Sequence, residues 1–316
     1  MKKVLCLGSV TTDIFVRPVD ELPPPGVLKK VSSNEIHVGG CASNAAIDLA
    51  VLGVPVALGC KCGDDYFGKF VEETSRNAGV DTAGVVFDPN VETTTSIVLV
   101  NSSGERTFLY NCGSASRYSD ADVPDSLLED ADIVFIAGAM LLDDFDGEPA
   151  ARVMRRAKAM GKFTVMDTAW DHAGEWLPKI AAVLPELDLF MPSREEAEKL
   201  SGETDPDKMA DFFFAQGCKN VVIKLGSKGA LICEAGQPRV TVPTYLSVKP
   251  KDTTGAGDSF CAGFLAGLAT GKSFLEAGKL GNAVGTHCIM EIGASTGIRP
   301  LAEIYQFMED HKAEVE

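Results

Sequence analysis

Positive charge is what this chain is short of. Only 29 Lys and Arg stand against 45 Asp and Glu, a formal net charge of -16 over 316 residues. A field of that sign repels polynucleotides and anionic bilayers, so neither a nucleic acid nor a membrane is expected as a partner. A phosphate ligand is still open, because local amides and a metal ion outweigh a distant surface charge. The nine cysteines form no C-x-x-C and no regular framework, and their number is odd. That composition reads as reduced thiols and a cytoplasmic location. Cys60-Lys61-Cys62 fits strand residues flanking a turn, and the four histidines, His37, His172, His287 and His311, make no metal motif. No uninterrupted apolar run is long enough to cross a bilayer. Met1-Lys2-Lys3 resembles the start of a signal peptide, but the apolar run over 4–10 is short and ends in Thr11-Thr12-Asp13 with no cleavage site, as a first buried strand would. No G-x-G-x-x-G follows that strand, which leaves a nicotinamide-binding site without support. No internal repeat is present.

What the chain does have is core-forming material, 45% hydrophobic residues with 31 glycines, in keeping with a globular protein of one large α/β domain or two smaller ones. From residue 133 onward, apolar runs of strand length alternate with segments of helical periodicity. Strands are expected at 133–137, 163–167, 187–191 and 221–225, and helices at 148–160, 175–183, 194–200, 207–216, 256–269, 274–284 and 301–311. Such alternation implies a mostly parallel sheet with helices on both faces. Two stretches, 12–38 and 92–112, break the rhythm with β character. They can pair as one small sheet over the carboxyl edge of the main sheet, where ligands of doubly wound sheets bind, and so form a lid.

The chain is organised around Asp252-Thr253-Thr254-Gly255-Ala256-Gly257-Asp258. Phe260, Phe264 and Leu268 recur at helical spacing just after it, so a buried helix starts near Gly257. Small residues at a helix start leave N–H groups uncovered, and such a terminus suits phosphate. Asp258 in the first turn can take the proton of a hydroxyl that attacks phosphorus. A glycine-rich turn, with Asp258 complementing the helix dipole, accounts for the same residues.

Gly39-Gly40 lies before another helix, with Asn44 in its opening turn. The glycines let a ligand approach the backbone, and Asn44 offers a donor and an acceptor to a polyol; a tight turn and a cap are the alternative. Lys224-Leu225-Gly226-Ser227-Lys228-Gly229 can wrap a nucleotide or be a plain hairpin turn. Ser193-Arg194-Glu195-Glu196 can place Glu196 near Mg2+-bound water, and it also has the spacing of a capping box. Gly63-Asp64-Asp65-Tyr66-Phe67-Gly68-Lys69-Phe70 imitates a P-loop. It lacks the Ser or Thr that holds Mg2+, and Asp64-Asp65 repels phosphate, so a turn and helix start is expected.

Taken together, Gly39-Gly40-Cys41-Ala42-Ser43-Asn44 and Asp252 to Asp258 resemble the two signatures of the ribokinase-like (PfkB) carbohydrate kinase family. Asp13, the Gly63–Gly68 run, the Lys224–Gly229 turn and Gly293-Ala294 fall in the family's order, and the match covers nearly the whole chain. The resemblance implies a single domain over 1–316, a three-layer α/β sandwich with a β-sheet lid from about 12–38 and 92–112, and ATP-dependent phosphorylation of a hydroxyl on a small neutral sugar. It implies Asp258 as catalytic base and the N–H groups of Gly255, Ala256 and Gly257 as anion hole. Asp13, Gly39, Gly40 and Asn44 would hold the sugar. Lys224, Gly226, Ser227, Gly229 and Asn282 would contact ATP. Glu196 would hold Mg2+ through water, and Asp252, Thr254 and Gly293 match the region of a monovalent cation such as K+. The chain departs from the family pattern in Ser193, where Asn is usual, and in Lys224, where many relatives have Thr. It departs again in Asp171, where an Asp-x-Asn-x-Arg motif has Arg; that replacement weakens an anionic-substrate reading.

Within the same class, a nucleoside kinase would use Phe15, Phe108 or Tyr110 as a stacking platform. A sugar-phosphate kinase would call on Arg17, Lys29, Lys30 or Arg106. From another class, a non-catalytic sugar-binding regulator would share the fold. Open lid edges suit a homodimer.

Overall fold

A computed structural model describes residues 1–315. The first half of the chain runs β1 (Val4–Gly8), β2 (Thr11–Arg17), β3 (Ser33–Gly39), α1 (Cys41–Val51), β4 (Val56–Gly63), α2 (Tyr66–Asn77), β5 (Asp81–Asp88), β6 (Thr95–Val100), β7 (Arg106–Asn111) and α3 (Asp125–Glu129). It continues β8 (Ile133–Ala139), α4 (Glu148–Ala159), β9 (Phe163–Thr168), α5 (Leu177–Ile180), β10 (Leu189–Phe190), α6 (Arg194–Ser201), α7 (Pro206–Ala215), β11 (Val221–Lys224), β12 (Ala230–Cys233), β13 (Val240–Val242), α8 (Ala256–Ala269), α9 (Phe274–Cys288) and α10 (Leu301–Asp310).

Nine strands form the main sheet in the order β13-β12-β11-β10-β9-β8-β1-β4-β5, parallel except where β12 meets β11 and β13. The central strand β1, Val-Leu-Cys-Leu-Gly, is buried throughout, as a parallel strand covered on both faces must be. Its side chains alternate between two cores: Val4 and Cys6 join the layer of α1, α8 and α9, while Leu5 and Leu7 join that of α4 and α7. The expected three-layer α/β sandwich is therefore present.

The two irregular stretches do pair with each other. They form a separate four-stranded sheet, β3-β2-β6-β7, in which β2 runs parallel to β6 and the outer pairs are antiparallel. Its register fixes which residues share a face. His37, Asp13, Ser96 and Tyr110 form one row, and Arg106 lies on the same side as Tyr110, while Ile36, Ile14, Ile97 and Leu109 form a row on the opposite face.

Local expectations failed where turn chemistry overrode periodicity. Within the 12–38 stretch, β structure ends at Arg17 and resumes only at Ser33. The helix expected over 175–183 shrinks to Leu177–Ile180, after Trp176 at a φ of 55° and with Pro178 in its first turn. Strand β10 is two residues long, and the edge strand β5, with Gly84 inside it, went unforeseen. The P-loop look-alike is a helix start. Asp65 caps α2 by accepting from the Gly68 N–H at 2.8 Å, and it also holds the N–H and hydroxyl of Thr93 at 2.8 and 2.7 Å. Among the described residues no helix is long and apolar enough to cross a membrane, and no group of His, Cys, Asp and Glu is arranged to hold a metal directly.

Candidate active site

Asp258 sits in the first turn of α8, where Gly255 is the N-cap at a φ of 76°. A side chain at Gly255 would meet Ala294 at 2.7 Å, so the left-handed turn into the helix needs glycine twice over. The Ala256 N–H donates to the Thr253 carbonyl at 3.3 Å. Among the described residues, the N–H groups of Gly255, Gly257 and Asp258 at this helix start have no backbone partner, whereas that of Ala256 does.

The carboxylate of Asp258 is gripped from the neighbouring helix. Asn44 in α1 donates from Nδ2 to Asp258 Oδ2 at 2.8 Å, across 214 positions of sequence. The other amide atom, Asn44 Oδ1, is buried and has no partner. Burial raises the Asp258 pKa above the ordinary carboxylate range, with the Asn44 hydrogen bond and the Lys224 charge pulling the other way. The Cys41 thiol lies against the same carboxylate, and burial together with that charge holds its own pKa well up.

Beside this pair sits the sugar-binding set expected from the sequence. A side chain at Gly39 would strike Asp13 Oδ2 at 2.2 Å, so the carboxylate of β2 rests directly on the backbone that leads into α1. Gly40, at a φ of 95°, packs on Ser9 and Val10. Burial pushes the Asp13 pKa up to about 6, against the pull of His37.

A cleft of about 760 Å³ opens from Asp258 toward the 224–229 turn. Gly257, Lys224, Gly226, Ser227, Gly229 and Asn282 line it, as does Glu196, whereas Asp13, Gly39, Gly40 and Asn44 lie outside its wall, by the small sheet. At Gly229 the φ is 85°, and a side chain would lie 1.9 Å from the Val242 carbonyl oxygen. Asn282 spends its amide hydrogens on the carbonyls of Val242 and Pro243, at 3.0 and 2.9 Å, which fixes the cleft's far wall.

Ser193 and Glu196 do make the capping box: the Ser193 N–H donates to Glu196 Oε2 at 2.9 Å and the Glu196 N–H to Ser193 Oγ at 3.3 Å. The Thr168 hydroxyl donates to the same Oε2 at 3.0 Å, and Glu196 still faces the cleft, so capping does not remove it from the site. Asp171, which stands where the related motif has Arg, closes its own loop. It accepts from the N–H groups of Trp176 and Ala173 at 2.6 and 3.0 Å and pairs with Lys179 at 3.4 Å.

Two contacts were missed from the sequence. Lys224 Nζ sits 2.6 Å from Asp167 Oδ2, at the end of the neighbouring parallel strand β9 but one. Arg106 of the small sheet reaches Asp252 Oδ1 at 3.1 Å and also donates to the Thr254 hydroxyl. Asp252 is then fully used: its carboxylate accepts from the Thr254 N–H at 3.0 Å, the Thr254 hydroxyl at 2.8 Å and the Gly293 N–H at 3.2 Å. The only advance hint of either contact was an unpaired cation in a motif whose usual occupant is neutral, and periodicity does not say which strand end a side chain will meet.

Comparison with known proteins agrees with this architecture. A ribokinase of Haemophilus influenzae is 29% identical, with 98% of this chain and 99% of that one aligned. Fructokinase-1 of Oryza sativa subsp. japonica is also 29% identical, over 86% of this chain and 88% of its own. The structure of Arabidopsis thaliana ribokinase complexed with ribose and ATP superposes with a TM-score of 0.84 over 98% of this chain and 99% of that one, at 23% identity. Fold, cleft and relatives define a phosphotransferase that acts on a hydroxyl acceptor. Residues 1–300 match the model of the pfkB family of carbohydrate kinases, and the chain belongs to that family as a sugar kinase.

Proposed function

We propose that this protein transfers the γ-phosphoryl group of ATP to a hydroxyl of a small neutral sugar of the ribose or fructose type. The observation that carries this reading is the Asn44–Asp258 pair at the mouth of α8, with the buried Asn44 Oδ1 still lacking a donor. A sugar hydroxyl supplies that donor. A neighbouring hydroxyl presented to Asp258 loses its proton to the carboxylate as its oxygen attacks phosphorus. The uncovered N–H groups of Gly257 and Asp258, at the positive end of α8, take up charge on the migrating group. Asp13, over Gly39 and Gly40, accepts from other hydroxyls of the sugar. The turn at Gly226, Ser227 and Gly229 and the wall at Asn282 take the nucleotide.

Glu196 is a hard oxygen donor on the cleft wall, and no preformed cage of protein ligands accompanies it among the described residues, which suits a Mg2+ ion that arrives with the phosphates and keeps its waters. Such an ion would neutralise charge on the phosphates. A monovalent cation fits less well at Asp252, Thr254 and Gly293, since the Arg106 guanidinium already lies against that carboxylate.

The small sheet acts as the lid of the cleft, with Asp13, Tyr110 and Arg106 on the face turned to the site. Phe108 lies on that face and is 58% exposed, which is the observation that favours a nucleoside as the second reading. The opposite face carries the apolar row Ile36, Ile97 and Leu109, exposed by 44, 38 and 54%, and with open edges at β3 and β7 it suits a homodimer. Neither a nucleic acid nor a membrane enters the reading, given the charge of -16.

The test is ATP turnover by the purified chain over a panel of free sugars, sugar phosphates and nucleosides. ADP formation that depends on a neutral sugar supports the reading. Turnover with nucleosides alone replaces it with the second. Tight sugar binding with no turnover would make the chain a non-catalytic regulator.

A further inference from the structure

The cleft holds a buried charge cluster that the reaction as described does not use. Lys224 ends β11 and Asp167 lies near the end of β9, with β10 between the two strands. Their side chains meet at 2.6 Å and are 12% and 4% exposed. The Cys261 thiol donates to the same Asp167 Oδ2 at 3.3 Å and lies 3.7 Å from Lys224 Nζ. One turn of α8 earlier, the spot where a side chain at Gly257 would begin is 3.4 Å from that ammonium. Lys224 therefore lies against the first turn of α8, beside the free Gly257 amide, and both residues face the cleft.

An ammonium has three hydrogens to donate. Asp167 takes one, and Cys261 offers only a weak acceptor at long range. At least one N–H is left for whatever occupies the cleft beside Gly257. Burial disfavours the charge on Lys224, but the carboxylate of Asp167, with Glu196 behind it, outweighs burial and holds the lysine cationic. A lone ammonium here would be free to swing on its four-carbon stem. Fixed by a carboxylate, it is a positive charge already in place before the reaction, which is the condition under which charge stabilisation is effective.

We propose, on the basis of the kinase reading above, that Lys224 is a further catalytic residue that grips the transferring phosphoryl group, and that Asp167 is the positioning residue that aims it. In the step concerned the hydroxyl oxygen of the sugar bonds to the γ-phosphorus as the bond from that phosphorus to the bridging oxygen of ATP breaks. The bridging oxygen keeps the electron pair and leaves with ADP, and the hydroxyl proton goes to Asp258. The Lys224 N–H points its charge at the oxygens of the group in flight, alongside the amides of Gly257 and Asp258. The absence of a side chain at Gly257 then has a reason in this sequence: a methyl group there would occupy the space between ammonium and phosphoryl.

The experiment compares wild type with Lys224→Met, Asp167→Asn and the double variant, each checked for an unchanged melting curve. Calorimetry measures binding of ADP and of the non-hydrolysable ATP analogue AMP-PNP, both with Mg2+. If Lys224 touches the terminal phosphoryl, Lys224→Met weakens AMP-PNP at least ten-fold more than ADP, and Asp167→Asn does the same to a smaller degree. Where the wild type phosphorylates a sugar, kcat falls roughly a hundred-fold or more in Lys224→Met and about ten-fold or more in Asp167→Asn, in the range seen when one transition-state donor is removed or misplaced. KM for ATP rises with the loss of AMP-PNP affinity, by a smaller factor than kcat falls. The double variant is no slower than Lys224→Met, because the two residues act as one unit. Equal losses for ADP and AMP-PNP, or single-variant effects on kcat that multiply in the double, overturn the proposal. The double variant also removes both buried charges together, so a single variant that fails to fold does not block the test. A wild type inert toward every sugar would overturn the kinase reading, whereas an active wild type with unimpaired Asp167→Asn and Lys224→Met would overturn this assignment alone.

Discussion

Asn44 and Asp258 share a hydrogen bond of 2.8 Å between the start of α1 and the start of α8. It ties a group suited to recognising a hydroxyl to a group suited to deprotonating one. Under the proposed mechanism, the orientation of the base and the recognition of the acceptor would be one structural event.

Replacing Asp258 by Asn keeps the shape and removes the proton acceptor. Turnover is expected to fall roughly a hundred- to ten-thousand-fold. Stability should hold or rise, since the partial burial of the carboxylate carries a cost that its raised pKa reflects. Steady-state kinetics beside a melting curve checks both halves; near-normal kcat in the variant would remove Asp258 from the base role.

Asn44→Ala acts on both partners of the pair. It deletes the acceptor offered to the sugar and the hydrogen bond that lowers the Asp258 pKa. KM for the sugar should rise, kcat should fall, and the acid limb of the pH profile of kcat should move to higher pH. An unchanged limb would mean that Asn44 does not govern the ionisation of Asp258.

Asp13 gives a separate pH signature. Its folded pKa of about 6 lies above the ordinary value of roughly 3.9. Between those values the folded state binds more protons than the unfolded one, so this residue's contribution to stability is greatest on the acid side and declines as pH rises through the window. Function runs the opposite way, because accepting hydroxyls calls for the carboxylate. The kcat/KM for the sugar should therefore drop below about pH 6, and Asp13→Asn should remove Asp13's share of that dependence, leaving the limb that Asp258 sets, while weakening the sugar overall.

Gly226 and Gly229 separate backbone strain from collision in one turn. Both have positive φ, 58° and 85°, but an added methyl meets nothing within 4 Å at Gly226 and lies 1.9 Å from the Val242 carbonyl oxygen at Gly229. Gly226→Ala should cost about 1 kcal/mol from strain alone. Gly229→Ala should cost clearly more and weaken nucleotide binding as β12 and β13 are pushed apart. Urea unfolding of the two variants ranks them.

Arg106 latches the small sheet to the loop that leads into α8, through Asp252 and Thr254. The pair is partly exposed, so Arg106→Gln should change stability by about 1 kcal/mol or less. Its effect should appear in coupling instead. With the lid held less firmly, water gains access, and ATP hydrolysis should rise relative to sugar phosphorylation. Measuring ADP and sugar phosphate together gives the ratio, and a ratio equal to that of wild type would rule out the latch.

Much of this was legible in one dimension because it rests on local rules. The apolar run of β1, the helix after Gly257, the capping box of Ser193 and Glu196 and the helix start within the Gly63–Gly68 run all depend on neighbours a few positions away. The β character of 12–38 and 92–112 was visible for the same reason. Strand β5 and the shortened α5 were not, because Gly84, Trp176 and Pro178 interrupt the patterns that periodicity needs. The bond from the Ala256 N–H back to Thr253 was not legible either, because no local pattern says which amide at a helix start turns back on the chain.

The order of its residues alone determined that this protein would wind a parallel sheet between helices and would place an acid in the first turn of α8. Spacing and side-chain type suffice for that. Tertiary structure decided which polar groups meet: Asn44 with Asp258, Lys224 with Asp167, Arg106 with Asp252. Each pair joins elements far apart along the chain, at distances where a shift of an ångström would break the bond. That proximity comes from sheet order and helix packing, which no local pattern encodes.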